Sequence, residues 1–292
     1  MFEQLSALAA LAETGTMRAA GTKLHVSQSA ISKRIAALEG QLDKTLVERR
    51  GRRAHLTSEG ERLVARVRPL LSEMRAVLSE DAIEGRGRIA VGVSESVLGS
   101  WGATLFARTR IPELEIELHA HRSPVAIDRV QGGEYALALI ALAGTVPDLV
   151  VEVLVREPMV IVPCGLARMR FPRHGTLEVI TLDTHSETWR AVGARARSVG
   201  IRPVRTVENA FAAAAMAQAG LGHGLVPVGV ANALSIPRDR IVHPPKGELT
   251  RPIALVARKS TFARPAIRLL VDRLRCELDQ RMARMIRPTR GP

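Results

Sequence analysis

The sequence predicts a small, largely α-helical N-terminal part followed by a longer α/β part. Three observations support this division. Apolar residues before residue 85 recur at helical spacing, the glycine-rich stretch Glu-Gly-Arg-Gly-Arg at 84–88 interrupts that pattern, and short apolar runs then alternate with helical segments. Such alternation is typical of βαβ units, so the longer part is expected to contain parallel sheets with helices on both faces.

The first two helices are predicted from apolar spacing and from a glycine stop. Apolar residues at 2, 5, 8, 9 and 12 share one helical face, and Gly15 ends that helix. Residues 18–24 fit a short second helix. His25 and Val26 then form a tight connection to Ser27, which is a natural N-cap for a third helix.

The third helix begins with small polar side chains on its outer face. Ile31, Ile35 and Leu38 recur at i, i+4 and i+7 and define the inner face. The outward residues near the N-terminus are Gln28, Ser29, Ser32 and Lys33. These side chains fit a DNA major groove and offer donors and acceptors to base edges, and the helix dipole there favours phosphate. Contact with duplex DNA is the hypothesis, and a solvated helix face is the alternative.

A β-wing is predicted after Leu42. In the stretch 46–57, Gly51 stands between two basic pairs and apolar residues flank the segment. The tip of this wing carries Arg49, Arg50, Arg52 and Arg53. Guanidinium groups at such a tip lie across the phosphate backbone, so they are expected to contribute affinity and salt dependence more than sequence choice.

A long helix is predicted from Ser58 to about Ala82. Ser58 and Glu61 fit a capping box at its start, and Pro69 is expected to bend it. Its apolar residues follow a heptad seam spaced 4, 3, 4, 3, which consists of Leu63, Val67, Leu70, Met74 and Val77. Such a seam favours pairing with a second copy of the chain, and packing on its own domain is the alternative.

The remainder of the chain alternates between strands and helices. Helices are expected over 94–110, 188–198 and 209–219, with another beginning at Ser123. The predicted strands cover residues 88–93, 114–121, 135–141, 150–155, 159–163, 178–182, 204–207, 224–226 and 253–257.

Charge and composition narrow the class of partner. The 292 residues carry a formal net charge of +13, and only 3% of them are aromatic, which leaves few stacking surfaces for single-stranded nucleic acid. The stretch from Arg18 to Arg53 contains nine basic and three acidic residues, so it predicts a compact basic patch. Duplex DNA is therefore the favoured polyanion.

The sequence also predicts a cytoplasmic protein without a membrane segment. The first 15 residues lack a basic region and carry Glu3, unlike a secretory signal, and no apolar run is long enough to span a bilayer. Cys164 and Cys276 lie far apart without metal-ligand spacing, so they are interpreted as buried hydrophobic residues, with a redox pair as the unsupported alternative.

Residues 8–63 resemble the LysR-type transcriptional regulators, which are bacterial proteins with a winged helix-turn-helix and a two-lobed effector domain. The resemblance rests on ETGTMRAAGTKLHVSQSAISKRIAALE at 13–39, then Leu42, Leu46, Arg49 and HLTSEG at 55–60, in the order and spacing of the family. The later part matches by its βα texture and by AGLGHGLVP at 219–227. Ala136 and His223 depart from the family pattern, and His223 is either a ligand contact or a local packing variant.

The resemblance implies three domains. They are a winged helix-turn-helix at 1–58, a linker and dimerisation helix at 59–86, and a periplasmic-binding-protein-like effector domain at 87–292. The effector domain is expected to have two doubly wound lobes, lobe I at about 87–161 and 264–292 and lobe II at about 162–263. In the helix-turn-helix, Ser27, Gln28, Ser29, Ser32 and Lys33 match groove-facing positions of the family, and Arg34 completes the predicted set of contacts.

The implied function is sequence-specific regulation of transcription by a homodimer or homotetramer that responds to a small molecule. No cofactor is expected beyond that effector, and RNA polymerase is an expected partner of an activating regulator. In open α/β sheets, ligands bind at the carboxyl ends of strands, which selects six candidate effector contacts. They are Ser94, Glu95, Ser96, Ser123, Thr145 and Thr184. Helix capping is the alternative role of each.

Other functional classes find less support in the sequence. His119 and His121 share a strand face, but no further metal ligands are placed by spacing, so no metal site is predicted. Ser94 lacks the second glycine of a nucleophile elbow, and no phosphate-binding glycine motif is present, so no catalytic residue is assigned and the chain is predicted not to be an enzyme. The alternatives are a solute-binding protein or an α/β enzyme with a vestigial DNA-binding head.

Overall fold

The computed structural model describes residues 1–50, 53–78, 87–112, 114–244 and 249–286. The chain divides into two compact units. The first comprises Met1–Arg86 with Gly132–Glu134, and the second comprises Gly87–Gln131 with Tyr135–Pro292.

The described residues of the N-terminal unit form four helices and one hairpin. Their bounds are α1 Phe2–Thr14, α2 Met17–Lys23, α3 Gln28–Leu42, β1 Val47–Arg50, β2 Arg53–Leu56 and α4 Ser58–Leu78. Gly15 ends α1 with a positive φ of 71°, as the predicted glycine stop requires. Ile31, Ile35 and Leu38 of α3 are buried against Leu8 and Leu11 of α1, which confirms the predicted inner face.

The N-cap of α4 differs from the prediction by one residue. The hydroxyl of Thr57, rather than that of Ser58, accepts a hydrogen bond from the backbone N–H of Gly60 at 3.1 Å. The third residue of the helix is therefore Gly60, so Glu61 stands one position too late to complete a capping box. The helix continues through Pro69 to Leu78, and the predicted end at Ala82 lies outside the described residues.

The C-terminal unit is built on one eight-stranded sheet. Its strands are β3 Gly87–Ser94, β4 Leu114–His121, β5 Leu137–Ala141, β6 Leu149–Val162, β7 Leu177–Leu182, β8 Ile201–Val207, β9 His223–Pro227 and β10 Thr250–Arg258, in the order β4-β3-β5-β10-β6-β9-β7-β8. The helices are α5 Glu95–Val97, a π-helical turn Leu98–Gly102, α6 Ala103–Arg108, α7 Ser123–Gln131, α8 Glu187–Ser198, α9 Ala210–Gln218, α10 Val228–Ala233, α11 Lys259–Phe262 and α12 Pro265–Ile286.

The sheet is mixed, which corrects the expectation of purely parallel sheets. Strands β4, β3 and β5 are parallel, as are β8, β7 and β9. The central strands β10 and β6 run antiparallel to their neighbours. Each parallel set has an apolar core on both faces, so the unit consists of two doubly wound lobes joined by β6 and β10.

Strand β6 is one element of 14 residues, not the two strands predicted at 150–155 and 159–163. It pairs with β10 from Leu149 to Pro158 and with β9 from Met159 to Val162. The lobe bounds shift accordingly. Met159–Val162 pack in the cores of lobe II, and β10 packs in the cores of lobe I although it falls within the predicted range of lobe II.

Candidate functional site

The turn between α2 and α3 is tight because Gly21 lies against the backbone of the next segment. A Cβ on Gly21 would lie 2.6 Å from the carbonyl oxygen of Val26, and the N–H of Val26 donates to the carbonyl of Gly21 at 2.9 Å. Ser27 then caps α3, since its hydroxyl accepts from the N–H of Ala30 at 3.1 Å. The first side chains of α3 therefore lie on the surface of the unit.

Five of the six residues predicted to contact DNA at the start of α3 are exposed. Ser27, Gln28, Ser29, Ser32 and Lys33 are exposed. Arg34 is half-buried, and its guanidinium donates to Glu3 at 2.7 Å, so it stabilises the packing of α3 on α1. Arg34 therefore differs from the other members of the predicted set, because a residue of its own domain already engages it.

The side chain of Glu39 attaches the wing to α3. The carboxylate of Glu39 accepts hydrogen bonds from the backbone N–H groups of Leu46 at 2.7 Å and Val47 at 3.0 Å. This fixes the start of β1 to the last turn of α3. The predicted wing-tip set is only partly described, because Arg52 and the side chains of Arg49, Arg50 and Arg53 lie outside the described residues.

The apolar residues of helix α4 form two groups, a buried pair and the predicted heptad seam. Val64 and Leu71 are 7% and 4% exposed, respectively, and Val64 packs in the core of the N-terminal unit. Leu63 and Val67 are half-buried, whereas Leu70 and Met74 remain 59% and 48% exposed. The side chain of Val77 lies outside the described residues. An apolar stripe is therefore left on the surface of this helix.

A cavity of about 80 Å³ lies where the strands of the two lobes present their carboxyl ends. It brings together Ser94, Glu95, Ser96 and Ser123, four of the six predicted effector contacts. Ser94 and Ser123 are buried with their hydroxyl oxygens 3.3 Å apart, and the Ser94 hydroxyl accepts from the N–H of Ala141 at 3.1 Å. The remaining lining residues are His121, Arg122, Pro124, Ala141, Leu182, His185, Ser186, Glu187, Thr188, Glu208, Asn209, Ala210 and Arg251.

Two predicted effector contacts lie elsewhere. Thr145 is exposed and does not line this cavity, because the loop that follows β5 carries it outward. Thr184 is also exposed and lines a separate groove between α8 and β8. Position after a strand is thus insufficient, since the loop path decides which side chains reach the cavity.

A buried ion pair forms the wall of the cavity. Arg251 is 1% exposed and Glu157 is 2% exposed, and they face each other across the paired strands β10 and β6. One carboxylate oxygen of Glu157 accepts from Arg251 Nε at 3.0 Å and Nη2 at 2.7 Å. The other oxygen accepts from the Trp101 indole at 3.0 Å and from the Gly229 N–H at 3.2 Å. Every oxygen of this buried carboxylate is therefore hydrogen-bonded.

Arg251 also connects the two lobes through hydroxyl groups. Its Nη2 donates to Ser96 Oγ at 3.0 Å in lobe I, and its Nη1 donates to Thr188 Oγ1 at 3.2 Å in lobe II. Neither Arg251 nor Thr188 is among the residues predicted from the sequence. One signal was present, since Glu157 and Arg251 each stand next to a proline within a largely apolar strand.

Three further contacts bridge the lobes at this cavity. Asn209 Nδ2 donates to Glu95 at 3.2 Å, and Glu187 accepts from the backbone N–H of Ala143 at 3.1 Å. Arg122 approaches Glu208 at 3.4 Å. The lobes therefore meet through polar groups that a molecule in the cavity can displace or strengthen.

The histidines and cysteines form no metal centre in the part of the chain that the structure describes. The rings of His119 and His121 stack with Tyr135, with centroids 5.1 and 5.8 Å away. His223 Nδ1 accepts from the N–H of Cys164 at 3.1 Å and lies outside the cavity lining, which favours the packing interpretation. Cys276 is exposed and Cys164 is half-buried, so the prediction that both are buried is wrong.

Two family models match almost the whole chain. The model described as a bacterial regulatory helix-turn-helix protein of the lysR family matches residues 2–61. The model described as the LysR substrate binding domain matches residues 82–279. Within the described residues, no helix is long and apolar enough to cross a membrane.

Relatives and solved structures have the same two-part arrangement. An uncharacterized HTH-type transcriptional regulator of Vibrio cholerae is 28% identical over 280 residues, covering 94% of this chain and 95% of that protein. A full-length OxyR variant from Pseudomonas aeruginosa is 20% identical with a TM-score of 0.71, covering 94% of each chain. CbnR, solved full-length in complex with its target DNA, is 22% identical with a TM-score of 0.64, covering 95% of this chain and 99% of that one. The chain belongs to the LysR family of bacterial transcriptional regulators.

Proposed function

We propose that this regulator binds operator DNA as a homodimer or homotetramer through α3 and the wing, and that a small molecule in the interlobe cavity controls it. The observation that supports DNA contact is the exposed row of Gln28, Ser29, Ser32 and Lys33 at the N-terminus of α3. Amide, hydroxyl and ammonium groups at a helix start can meet base edges and phosphate together. Gln28 is the proposed base reader, because its amide can bond a base in bidentate fashion.

The effector is proposed to act by shifting a population of lobe arrangements. The cavity is bounded by hydrogen bonds that join the lobes, including those of Arg251 to Ser96 and Thr188. A ligand alters the DNA-binding heads only if it binds one arrangement of the oligomer more tightly than another. Contact with RNA polymerase belongs to this proposal where the protein activates transcription. The proposed role is regulatory, with no catalytic residue, and its place is the cytoplasm, where the DNA is.

Footprinting on the DNA upstream of its own gene tests the DNA-binding proposal. Purified protein, at a stated near-physiological salt concentration and with competitor DNA, is expected to protect inverted half-sites. Gln28→Ala is expected to weaken this binding by about 5- to 150-fold, which corresponds to one lost bidentate contact. The double variant with Ser32→Ala is expected to bind more weakly still.

Gln41→Ala is the matched control, because Gln41 is an exposed glutamine near the other end of α3. Unchanged operator affinity of Gln28→Ala, or an equal loss in Gln41→Ala, would show that the assignment of the groove-facing residues is wrong.

A further inference from the structure

The charge of the interlobe cavity is opposite to the charge of the whole chain. The protein carries +13, but three glutamates line the cavity, namely Glu95, Glu187 and Glu208, against two arginines, Arg122 and Arg251. Glu157 lies directly behind Arg251 and adds a fourth carboxylate, and Arg190 pairs with Glu187 from outside the lining, so four carboxylates stand against three guanidinium groups. The immediate surroundings of the cavity are therefore acidic, whatever the total charge.

Neither lining arginine compensates for this excess inside the cavity. Arg251 is held by two hydrogen bonds to Glu157, so the pair is neutral as a unit. Arg122 and Glu208 lie at the rim, with side chains 42% and 78% exposed, and they approach each other at 3.4 Å. Solvent screens that outer pair. Glu95 and Glu187 are the carboxylates that remain.

Glu187 is largely buried, and both of its carboxylate oxygens already have partners in the protein. Its side chain is 10% exposed, and one oxygen accepts from the Ala143 N–H while the other is paired with Arg190 from the solvent side. Glu187 also occupies the first turn of α8. The positive end of this helix dipole, which would otherwise attract an anionic ligand, is thus met by a carboxylate of the protein itself.

Glu95 has only neutral neighbours as partners in the described part of the chain. One oxygen accepts from the amide of Asn209 at 3.2 Å, and no ion pair of Glu95 is present among the described residues. His121 lines the same cavity, but burial lowers its pKa, Arg129 and His119 add to that lowering, and Glu95 only opposes it. His121 is therefore largely neutral at pH 7, and the negative charge of Glu95 stays available in the cavity.

We infer that the effector of this protein carries a cationic nitrogen, of the primary ammonium class, which binds Glu95. The inference rests on the proposed function, since it takes the interlobe cavity as the effector site and adds the charge of the ligand. An ammonium donates three hydrogen bonds, and the Glu95 carboxylate, which accepts from Asn209, lines the cavity as its acceptor. An anionic ligand would instead meet the uncompensated carboxylate of Glu95.

Three four-carbon probes of different charge test the inference on the full-length protein. Butylammonium, butyrate and neutral butanamide are titrated near pH 7, with saturation-transfer difference NMR as the measure of weak binding. Butylammonium is expected to have a Kd at least about tenfold lower than that of butyrate. Glu95→Gln is expected to remove this preference, and Glu95→Lys is expected to reverse it in favour of butyrate.

Glu178→Gln is the control, because it makes the same change on an exposed position of β7 outside the cavity lining. Preferential binding of butyrate to the wild-type protein, or a butylammonium preference that survives in Glu95→Gln, would overturn the cationic class but leave the cavity as an effector site. Failure of all three probes to bind would overturn both the class and the site. The operator footprint tests the DNA-binding half of the proposed function independently.

Discussion

Arg251 and Glu157 place a full charge pair where the neighbouring side chains are apolar. Both groups are almost fully buried, and the pair contributes stability only because every carboxylate oxygen is hydrogen-bonded. The guanidinium depends on this one carboxylate, since its other partners are the neutral hydroxyls of Ser96 and Thr188. Removing the negative charge leaves a buried cation uncompensated.

Glu157→Gln is therefore expected to lower the free energy of unfolding by about 3–5 kcal/mol, as measured by urea denaturation. Glutamine keeps one acceptor oxygen for Trp101 and Gly229, and its amide NH2 then faces the Arg251 guanidinium, so the variant removes the charge together with the acceptor that Arg251 uses. Glu152→Gln on the same strand is the control. Glu152 pairs with Arg275 at a partly exposed site, where a loss below about 1 kcal/mol is expected. Equal losses in the two variants would contradict the account of the buried pair.

Among the single elements, helix α4 has one buried apolar face and one exposed apolar face. Val64 and Leu71 are buried, and the exposed Leu70 and Met74 form a stripe beside them. Water contact of two large apolar side chains on one helix is unfavourable, and a second copy of the same helix would cover them. The stripe supports the interpretation of α4 as the dimerisation helix.

Leu70→Lys combined with Met74→Lys is expected to shift the protein towards monomer, measured by analytical ultracentrifugation, because the substituted helices would bring like charges together. Circular dichroism is expected to show the helical content retained. The control is Arg66→Lys, which conserves charge at an exposed position of the same helix. An unchanged sedimentation profile of the double variant would show that α4 packs against something other than its own copy.

Local patterns predicted most elements because they depend on spacing along the chain. The inner face of α3, the Ser27 cap and the hairpin at 47–56 all follow from neighbouring residues. The break predicted in β6 did not occur, for a non-local reason. Glu157 is neutralised by Arg251, which is 94 positions away, and Pro158 lies where β6 changes its partner from β10 to β9, so that its missing N–H is tolerated.

The candidate site was less predictable than the elements. Ser94, Glu95, Ser96 and Ser123 could be selected because the carboxyl ends of parallel strands meet at one edge. Arg251 could not be selected in this way. It lies on the antiparallel strand β10, which brings it next to Ser96, a residue 155 positions earlier in the chain. Thr145 and Thr184 satisfy the same local rule as Ser94, but their loops lead away from the cavity.

At the scale of the whole α/β unit, the lobes share two strands instead of a flexible linker. Trp101 belongs to a core of lobe I, and Trp189 belongs to a core of lobe II. These are the two tryptophans of the chain. The backbone hydrogen bonds of β6 join it to β10 along one part of its length and to β9 along the other. Unfolding of one lobe would therefore leave strand edges of the other lobe without their hydrogen-bond partners.

Single-tryptophan variants Trp101→Phe and Trp189→Phe are expected to unfold in urea with coincident fluorescence transitions, each variant reporting the lobe whose tryptophan remains. Far-ultraviolet circular dichroism of the same samples also follows the helices of the N-terminal unit, so the test compares the fluorescence midpoints of the two variants. Fluorescence midpoints that differ by more than the loss of the Trp101 hydrogen bond to Glu157 explains would show that the lobes unfold independently in spite of the shared strands.

The path of β6 and β10 also constrains how such a protein can diversify. Lobe I is assembled from chain segments on both sides of lobe II, and the boundaries between them fall inside paired strands, near Pro158 and at the end of β10 that begins with Thr250. A recombination event that exchanges one lobe between relatives therefore needs two crossover points in matching register, one in each strand. A single crossover between them would join the Glu157 of one parent to the Arg251 of another, so the buried ion pair would be assembled from two parents.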